Sequence, residues 1–232
     1  MGESKVALVT GGGTGIGRAT AERLADDGWR VIAVGLDRDD DLSERVEFLR
    51  LDVTDTEAVL KSCEGMEKIH AFVSSAGILR HDREWQVEAF EEVVRVNLTA
   101  GFALATALRP RLEAAGGAVV MIASMWSFFG APGAPAYTAS KGAVAALTRS
   151  LAAAWAPCGI RVNAVAPGWV ETALSARARA DEARLSRINA RIPMGRWAKA
   201  AEVASVIRFL LSEDASYVTG VVLPVDGGYS IC

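Results

Sequence analysis

Two side chains that could exchange protons lie one helical turn apart in the motif Tyr137-x-x-x-Lys141. Residues four positions apart on a helix share a face, so both side chains can point into one site. A free tyrosine titrates about three pKa units above neutral pH, a difference of roughly 4 kcal/mol. A neighbouring ammonium group favours the phenolate and would lower that pKa, as general acid/base catalysis requires. Taken alone, the motif is more typical of a pair on the surface of a helix.

Ser124 precedes Tyr137 by thirteen residues and directly follows an apolar run. Its hydroxyl could hydrogen-bond a reacting oxygen and fix the position of that oxygen. Ser124 and Tyr137 together could polarise a carbonyl without a metal ion. No carboxylate or His/Cys cluster has the spacing of metal ligands, so no metal site is predicted.

A glycine-rich turn follows the first predicted strand, in the sequence Thr10-Gly-Gly-Gly-Thr-Gly-Ile-Gly17. Glycines permit a tight turn with positive φ and let the backbone approach a pyrophosphate. The N-terminus of the following helix offers free N–H donors and a partial positive charge. The literal Gly-x-Gly-x-x-Gly fingerprint is absent, so a glycine turn without a ligand is the alternative. As a phosphate site, the turn would use Gly11, Gly13, Thr14, Gly15, Ile16 and Gly17.

Short β-branched runs alternate with longer amphipathic or alanine-rich segments along the chain. Strands are predicted at Lys5–Thr10, Arg30–Gly35, Val46–Leu51, Ile69–Ser74, Ala118–Ala123, Ile160–Ala166 and Val221–Val225. Most are apolar nearly throughout, as strands buried on both faces of a parallel sheet are. Helices are predicted at Gly15–Asp27, Thr56–Glu64, Trp85–Leu112, Ala136–Trp155 and Ala200–Ser212. The alternation predicts an α/β fold, a doubly wound parallel sheet of Rossmann type with about seven strands and helices on both faces.

A single domain is predicted over residues 1–232, since no internal repeat or low-complexity linker divides the chain. The connection Asp37–Glu44 is too short for a full crossover helix, so a trimmed loop is expected there. Pro193, Gly195 and the Arg/Ala run before them predict a mobile excursion at residues 172–196. Such a segment could act as a lid that excludes water from the site.

Composition argues against nucleic-acid and membrane partners. The net charge of the 232 residues is −3, and the arginines between Arg177 and Arg191 alternate with acids, which is typical of a solvated helix face. Residues 1–9 show no signal-peptide pattern, and the uncharged stretch Gly117–Ser140 is interrupted by glycines and prolines, which favours a buried strand and loop. Three cysteines without a Cys-x-x-Cys motif favour a reducing cytoplasm over a disulfide framework.

Several motifs together resemble the short-chain dehydrogenase/reductase family. The spacing Thr-Gly-x-x-x-Gly-x-Gly in the glycine turn, Ser124 before Tyr137-x-x-x-Lys141, and Asn97 in Val-Asn-Leu match that family in order and interval. Further matches, which extend the resemblance over nearly the whole chain, are Asp52 before Val53, Pro167-Gly168 with Thr172, and Val225-Asp226-Gly227-Gly228.

The resemblance implies an NAD(P)-dependent oxidoreductase that moves a hydride between nicotinamide and a secondary alcohol or ketone. Tyr137 would be the acid/base, Lys141 would also hold the nicotinamide ribose, and Asn97 would anchor a water that carries the proton onward. The resemblance also implies homo-oligomers, tetramers or dimers, in which equivalents of the Ala-rich helix Ala143–Ala154 pair. The cofactor residues it implies beyond the glycine turn are Asp52, Val53, Ala76, Gly77, Lys141, Pro167, Gly168, Val170 and Thr172.

One departure concerns the end of the fourth strand. The family usually has Asn-Asn-Ala-Gly there, whereas this chain has Ser74-Ser75-Ala76-Gly77. Ser75 can still hydrogen-bond, but it is shorter and lacks the paired donor and acceptor of an amide. The way in which this strand end supports the cofactor is therefore open.

The preference between NAD and NADP should be decided after the second strand. Asp37 lies twenty positions beyond Gly17, where an acidic residue can bind the ribose 2′-hydroxyl and repel a 2′-phosphate. Arg38 could instead serve a phosphate, and the acids through Asp41 could be a solvated turn. NAD is the preferred prediction, with NADP as the alternative.

Large apolar side chains flank the catalytic set, which predicts a carbon-rich, cyclic secondary alcohol or ketone as substrate. Trp126 and Trp169 are the predicted substrate contacts beside Ser124 and Tyr137, while Phe128 and Phe129 could be pocket or core. Three arginines of the lid could meet an acidic substrate group or face solvent: Arg177, Arg184 and Arg187.

Two other functions fit parts of the pattern. A non-catalytic dinucleotide-binding sensor or scaffold would need the glycine turn but not the acid/base set. An epimerase or dehydratase with tightly held NAD would usually need a longer chain with a separate substrate region. The sequence does not name the substrate or the favoured direction.

Overall fold

The computed structural model describes residues 4–231 and contains seven parallel strands. The strands are β1 (Val6–Thr10), β2 (Arg30–Gly35), β3 (Val46–Arg50), β4 (Ala71–Ser74), β5 (Ala118–Ile122), β6 (Arg161–Pro167) and β7 (Val222–Val225). They form one sheet in the order β3-β2-β1-β4-β5-β6-β7. The predicted fold class is confirmed, and the predicted strand bounds differ from these by two residues at most. The strand order reverses between β1 and β4, the point at which ligands bind in such sheets.

Helices cover both faces of the sheet. They are α1 (Gly15–Asp26), α2 (Thr56–Lys61), α3 (Val87–Val94), α4 (Ala100–Ala115), α5 (Pro135–Trp155), α6 (Ala176–Arg179), α7 (Glu182–Arg191) and α8 (Ala200–Leu211). Alternate residues of a strand point to opposite faces. Leu8 of β1 therefore joins the core under α4 and α5, whereas Val9 joins the core under α1 and α8. The apolar runs are explained by this double burial.

The prediction of one continuous helix at Trp85–Leu112 is wrong, because the segment is interrupted. The structure has a 3₁₀ turn at His81–Trp85, then α3, a π-helical turn at Arg95–Thr99, and α4. The π turn contains Asn97, which is buried and hydrogen-bonds outside its own helix. Such one-turn insertions occur frequently at functional sites. Apolar residues continue across the insertion, so the sequence periodicity did not reveal it.

The predicted trimmed connection after β2 carries no helix. Arg18 of α1 holds this loop, because its guanidinium contacts Asp39 at 2.9 Å and Asp41 at 2.6 Å. These carboxylates raise the pKa of Arg18 further above its usual value. The loop between β2 and β3 is therefore held by ion pairs with Arg18, and no crossover helix is present there.

Residues 172–196 are not an unstructured excursion. They contain a 3₁₀ turn at Ala173–Ser175 and the helices α6 and α7. Ala178, Ile188 and Ile192 of this segment are buried in a small core of their own with Met125 and Trp197. The segment is thus a helical cap packed beside the sheet edge, and its predicted mobility stays a prediction.

Candidate active site

The carboxyl ends of the central strands open into one cleft with an empty volume of about 1180 Å³, including the space at its mouth. The glycine turn and the polar groups of Ser124 and Tyr137 all line this one cleft, as a dinucleotide with a small substrate requires. The predicted residues that line it are Gly11, Thr14, Gly15, Ile16, Gly17, Ala76, Gly77, Ser124, Trp126, Tyr137, Lys141, Pro167, Gly168, Trp169, Val170 and Thr172. The structure therefore brings most of the predicted site together.

The glycine turn is packed so closely that side chains are excluded. Gly11 has φ +65°, and a Cβ built on it would lie 2.8 Å from the Ala76 nitrogen. A Cβ on Gly17 would lie 2.1 Å from the Gly11 carbonyl oxygen. Helix α1 thus begins directly on the turn, and its first N–H groups face the cleft where a pyrophosphate fits. This tight glycine cradle fits a dinucleotide.

Thr10 supports the end of β4, where the chain has serines in place of asparagines. The Thr10 hydroxyl accepts hydrogen bonds from the Ser75 N–H at 3.1 Å and the Ala76 N–H at 3.3 Å. Thr10 of β1 therefore joins the glycine turn to the end of β4. This contact does not need the asparagine side chain that the family usually has at the position of Ser75. Ser75 itself lines the cleft.

Ser124 is positioned by the loop between β5 and α5. Its Oγ accepts a hydrogen bond from the Trp126 N–H at 3.2 Å, which starts a 3₁₀ turn. Ser127 closes the same turn, because its Oγ accepts from the Ser124 N–H at 3.2 Å and donates to the Lys141 carbonyl at 2.7 Å. Ser127 was not predicted, and it ties the Ser124 loop to α5.

Tyr137 and Lys141 face the cleft from adjacent turns of α5, as predicted. The Lys141 Nζ lies 5.4 Å from the Tyr137 ring centroid and donates to the Ile122 carbonyl at 2.6 Å. Lys141 is only 3% exposed. Ser124, Tyr137 and Lys141 therefore converge on one side of the cleft, at the ends of β5 and α5.

The pKa values of the pair differ from the sequence-based expectation. Burial raises the pKa of Tyr137 to about 12, while the interaction with the Ser124 side chain lowers it and the charge of Glu84 raises it. Burial lowers the pKa of Lys141 to about 8. Among the groups of the protein itself, the effect of burial on the Tyr137 pKa dominates. The expected lowering of this pKa by Lys141 is therefore wrong. Alcohol oxidation, which draws on the phenolate, is therefore favoured by a further positive charge near Tyr137, whereas ketone reduction uses the protonated tyrosine.

Glu84 is a buried carboxylate that the sequence reasoning missed. It is 1% exposed and accepts hydrogen bonds from the Tyr137 N–H and the Arg80 N–H, both at 2.8 Å. Helix α5 begins with Pro135 after Ala134, which has no side-chain acceptor for a cap. The free N–H groups of a helix N-terminus need acceptors, so the missing cap residue was the available signal.

Asn97 lies behind the cleft wall and not on it. Its Oδ1 accepts from the Ile78 N–H at 2.8 Å, and its Nδ2 donates to the Ile78 carbonyl at 2.9 Å and to Ser140 Oγ at 3.2 Å. The side chain therefore holds the segment after β4 against α5. Its predicted role in carrying the proton onward stays a prediction.

Aromatic rings form the substrate side of the cleft. Trp126 meets Tyr137 edge-on with ring centroids 5.5 Å apart, and Trp169 meets Trp126 with centroids 6.1 Å apart. Trp169 also stacks on Trp197, an unpredicted neighbour, at 5.0 Å. Phe128 is half exposed and Phe129 packs on Tyr229, and neither lines the cleft.

The predicted adenosine-side residues lie outside the cleft walls. Asp37 is exposed and 3.9 Å from Arg50, and Asp52 accepts hydrogen bonds from Thr54. Val53 is buried. A Cβ on Gly13 would lie 2.1 Å from the Asp37 carbonyl oxygen, so the turn packs against the Asp37 loop. The adenosine contacts of Gly13, Asp37, Asp52 and Val53 stay predictions.

Known proteins share this architecture across the whole chain. A family model described as enoyl-(acyl carrier protein) reductase matches residues 11–230. A 2-dehydro-3-deoxy-D-gluconate 5-dehydrogenase from Bacillus subtilis is 40% identical, over 98% of this chain and 95% of the relative. The chain belongs to the short-chain dehydrogenase/reductase family.

Two further members of the family are equally similar. A cis-4-hydroxycyclohexanecarboxylate dehydrogenase from Sinomonas cyclohexanicum is 40% identical over 99% of both chains. A solved Agrobacterium tumefaciens structure with bound NADP, provisionally named a 2-deoxy-D-gluconate 3-dehydrogenase, has a TM-score of 0.91 and 40% identity over 99% of this chain and 98% of its own.

Membership in the short-chain dehydrogenase/reductase family establishes the chain as an NAD(P)-dependent oxidoreductase of secondary alcohols and ketones. The comparisons do not support the non-catalytic sensor. Within residues 4–231, no group of three or more His, Cys, Asp or Glu side chains could hold a metal ion. In the same part of the chain, no helix has the length and apolar character needed to cross a membrane.

Proposed function

We propose that this enzyme oxidises the secondary hydroxyl of a carbon-rich, ring-sized compound, or reduces the corresponding ketone. The proposal is carried by one observation: a single cleft unites the glycine turn, the polar groups of Ser124, Tyr137 and Lys141, and a wall of tryptophans. Apolar walls with few convergent polar groups are typical of small-molecule sites. One relative is a cis-4-hydroxycyclohexanecarboxylate dehydrogenase, which supports a substrate of this size.

Each polar residue has a distinct role in the proposed mechanism. Tyr137 takes the hydroxyl proton during oxidation and returns it during reduction. Ser124 hydrogen-bonds the reacting oxygen, and Lys141 offers its ammonium to the nicotinamide ribose and to the Tyr137 hydroxyl. The bound nicotinamide would accept or supply the hydride, and its oxidised ring would favour the phenolate of Tyr137. The glycine turn, Ala76, Gly77 and the Pro167–Thr172 segment would hold the dinucleotide.

We propose a preference for NAD over NADP. Asp37 follows β2 with an exposed carboxylate, which would repel a 2′-phosphate. Arg18, the basic residue nearest the glycine turn, is paired with Asp39 and Asp41. Arg38 and Arg50 are exposed nearby and oppose this preference, and two solved relatives carry NADP. Comparing the dissociation constants of NADH and NADPH decides between them, and tighter binding of NADPH would refute the preference.

We also propose that residues 172–196 act as a lid. Thr172, Leu174, Ala178 and Arg184 of this segment line the cleft, so a movement of the segment would change access to the site. A deletion or cross-link that holds the segment should change both kcat and KM.

We also propose that the protein forms homo-oligomers and lies in the cytoplasm. Helix α5 exposes small side chains such as Ala146, Ala153 and Ala154, which would let a second copy approach closely in a homodimer or homotetramer. Light scattering after size exclusion measures this, and a monomer would refute it. Cys63 and Cys158 are free thiols, which supports the cytoplasm, while Cys232 lies outside the described residues.

The proposed reaction is tested by following nicotinamide absorbance with a panel of secondary alcohols and ketones. We expect turnover of cyclohexanols and related ring alcohols that the Tyr137→Phe variant abolishes. Turnover that persists in Tyr137→Phe would refute the mechanism, and turnover confined to small linear alcohols would refute the substrate class.

A further inference from the structure

Arg184 places a guanidinium group in the wall of the cleft. It sits in the first turn of α7, where its backbone N–H donates to the Asp181 carboxylate at 2.9 Å. Its side chain is half-buried and its Cζ lies 6.0 Å from the Trp169 ring centroid. The tryptophan face thus supports the charged group at the edge of the substrate region.

The other arginines of the lid are already engaged. Arg177 pairs with Asp82 at 3.3 Å, and Arg191 donates to the Tyr229 hydroxyl at 3.2 Å and stacks on its ring. Arg187 donates to the Ala183 carbonyl at 3.3 Å and is exposed. Across residues 4–231, no side chain or carbonyl accepts a hydrogen bond from the Arg184 guanidinium. Its five N–H donors are free for a ligand.

The cleft wall has no acidic side chain to balance this charge. Its ionisable side chains are His81, Tyr137, Lys141 and Arg184, and none of the residues that line it is Asp or Glu. The Lys141 ammonium is directed to the Ile122 carbonyl. Burial lowers the pKa of His81, the charges of Arg177 and Arg184 lower it further, and those of Asp82 and Glu84 raise it. An anion in this region would gain interaction energy without displacing a protein carboxylate.

The position of Arg184 relative to Tyr137 sets where that anion must lie. Trp126 contacts Tyr137, Trp169 contacts Trp126, and the Arg184 guanidinium lies against Trp169. The two indole rings thus connect Tyr137 to Arg184 along the cleft wall. A ligand that reaches both needs its anionic group several carbons away from its reacting carbon.

We propose that Arg184 binds a substrate carboxylate, and that the substrates are hydroxy acids whose carboxylate is remote from the reacting hydroxyl. The planar guanidinium can bind a carboxylate through two parallel hydrogen bonds, which adds orientation as well as affinity. Arg184 then holds the substrate at its carboxylate and Ser124 holds it at the reacting oxygen, with the carbon skeleton against the tryptophans. This inference rests on the proposed function and names the substrate class of the same cleft.

Binding of a matched pair of probes tests the charge recognition without turnover. Cyclohexanecarboxylate and cyclohexanecarboxamide have the same shape and differ in charge, and their binding to the NADH-loaded enzyme is measured by tryptophan fluorescence and calorimetry. We expect the carboxylate to bind at least 10-fold more tightly. Arg184→Met should reduce this ratio by about 10- to 100-fold, since a hydrogen-bonded charge is removed. Arg184→Lys should retain part of it.

Arg187→Met is the matched control, because it removes the same charge from an exposed site on the same helix. It should keep the wild-type ratio. The proposal is overturned if the wild-type enzyme does not prefer the carboxylate, if Arg184→Met keeps the preference, or if Arg187→Met loses it equally. An equal loss of NADH affinity in Arg184→Met would assign the residue to the cofactor and also overturn the proposal.

A second measurement tests the remote placement. The enzyme should favour 4-hydroxycyclohexanecarboxylate over the 2-hydroxy isomer by at least 10-fold in kcat/KM. A ratio near one, or no turnover of either acid, contradicts the placement. Turnover of neutral ring alcohols and its loss in Tyr137→Phe test the proposed function separately, so the two failures are distinguishable.

Discussion

The buried Glu84 carboxylate makes a prediction about both stability and pH dependence. It accepts two hydrogen bonds at 2.8 Å from backbone N–H groups, one of them in the first turn of α5. A hydrogen bond to a charged group contributes roughly 1.5–3 kcal/mol, and loss of its acceptor leaves a buried donor unpaired. Glu84→Ala removes both acceptors and should lower the free energy of unfolding by about 4 kcal/mol. For a chain of this size, the melting temperature should fall by about 8–16 °C.

Glu84→Gln separates the charge from the hydrogen bonds. The amide keeps one acceptor oxygen, so the free energy of unfolding should fall by only about 2 kcal/mol. The charge of Glu84 raises the pKa of Tyr137, so its removal lowers that pKa. Alcohol oxidation needs the phenolate, and a lower pKa populates the phenolate at lower pH. The alkaline-rising limb of kcat/KM for oxidation should therefore move to lower pH.

Thermal denaturation by circular dichroism and the pH profile of kcat/KM measure the two effects. Glu88→Gln is the control, since Glu88 is an exposed acid in the first turn of α3. It should change the melting temperature by at most a few degrees and leave the pH profile in place. A Glu84→Ala variant that melts with the wild type, or a Glu84→Gln profile that moves to higher pH, would refute the reasoning.

Three further substitutions test the site. Tyr137→Phe should reduce turnover by at least about 100-fold while the NADH dissociation constant changes only a few-fold, and an unreduced rate contradicts the role of Tyr137. Asp37→Ala should weaken NADH binding and bring the dissociation constants of NADH and NADPH closer together, as measured by fluorescence titration. Asp40→Ala should leave both dissociation constants unchanged. Gly17→Ala should weaken dinucleotide binding and lower the melting temperature, because its Cβ would lie 2.1 Å from a carbonyl oxygen. Normal dinucleotide affinity in that variant would contradict the packing argument.

The sheet could be predicted closely because its strands are buried on both faces. Val31, Ile32, Ala33 and Val34 show this, since each is 1% exposed or less. An apolar run of this kind has sharp ends where polar or glycine residues begin. The break at Asn97 could not be predicted, because the inserted π turn depends on hydrogen bonds to Ile78, which is distant in sequence.

The residues of the proposed catalytic set were predicted from motif spacing, and the residues that position them were not. Tyr137 and Lys141 are one helical turn apart, which is a local relation that sequence shows. Glu84 reaches Tyr137 across 53 positions of the chain. Trp197 meets Trp169 only because the lid segment folds back beside the sheet. Contacts of this kind depend on the tertiary fold, which local patterns do not record.

The Ser127 hydroxyl links Ser124 to α5, because it accepts a hydrogen bond from the Ser124 N–H and donates one to the Lys141 carbonyl. The separation of these two groups is therefore set by a direct cross-connection and is independent of how many residues run between Phe128 and Ala134. A change in the length of that outer stretch can leave this cross-connection in place. Insertions and deletions there can thus be tolerated without renewed selection on the chemical step.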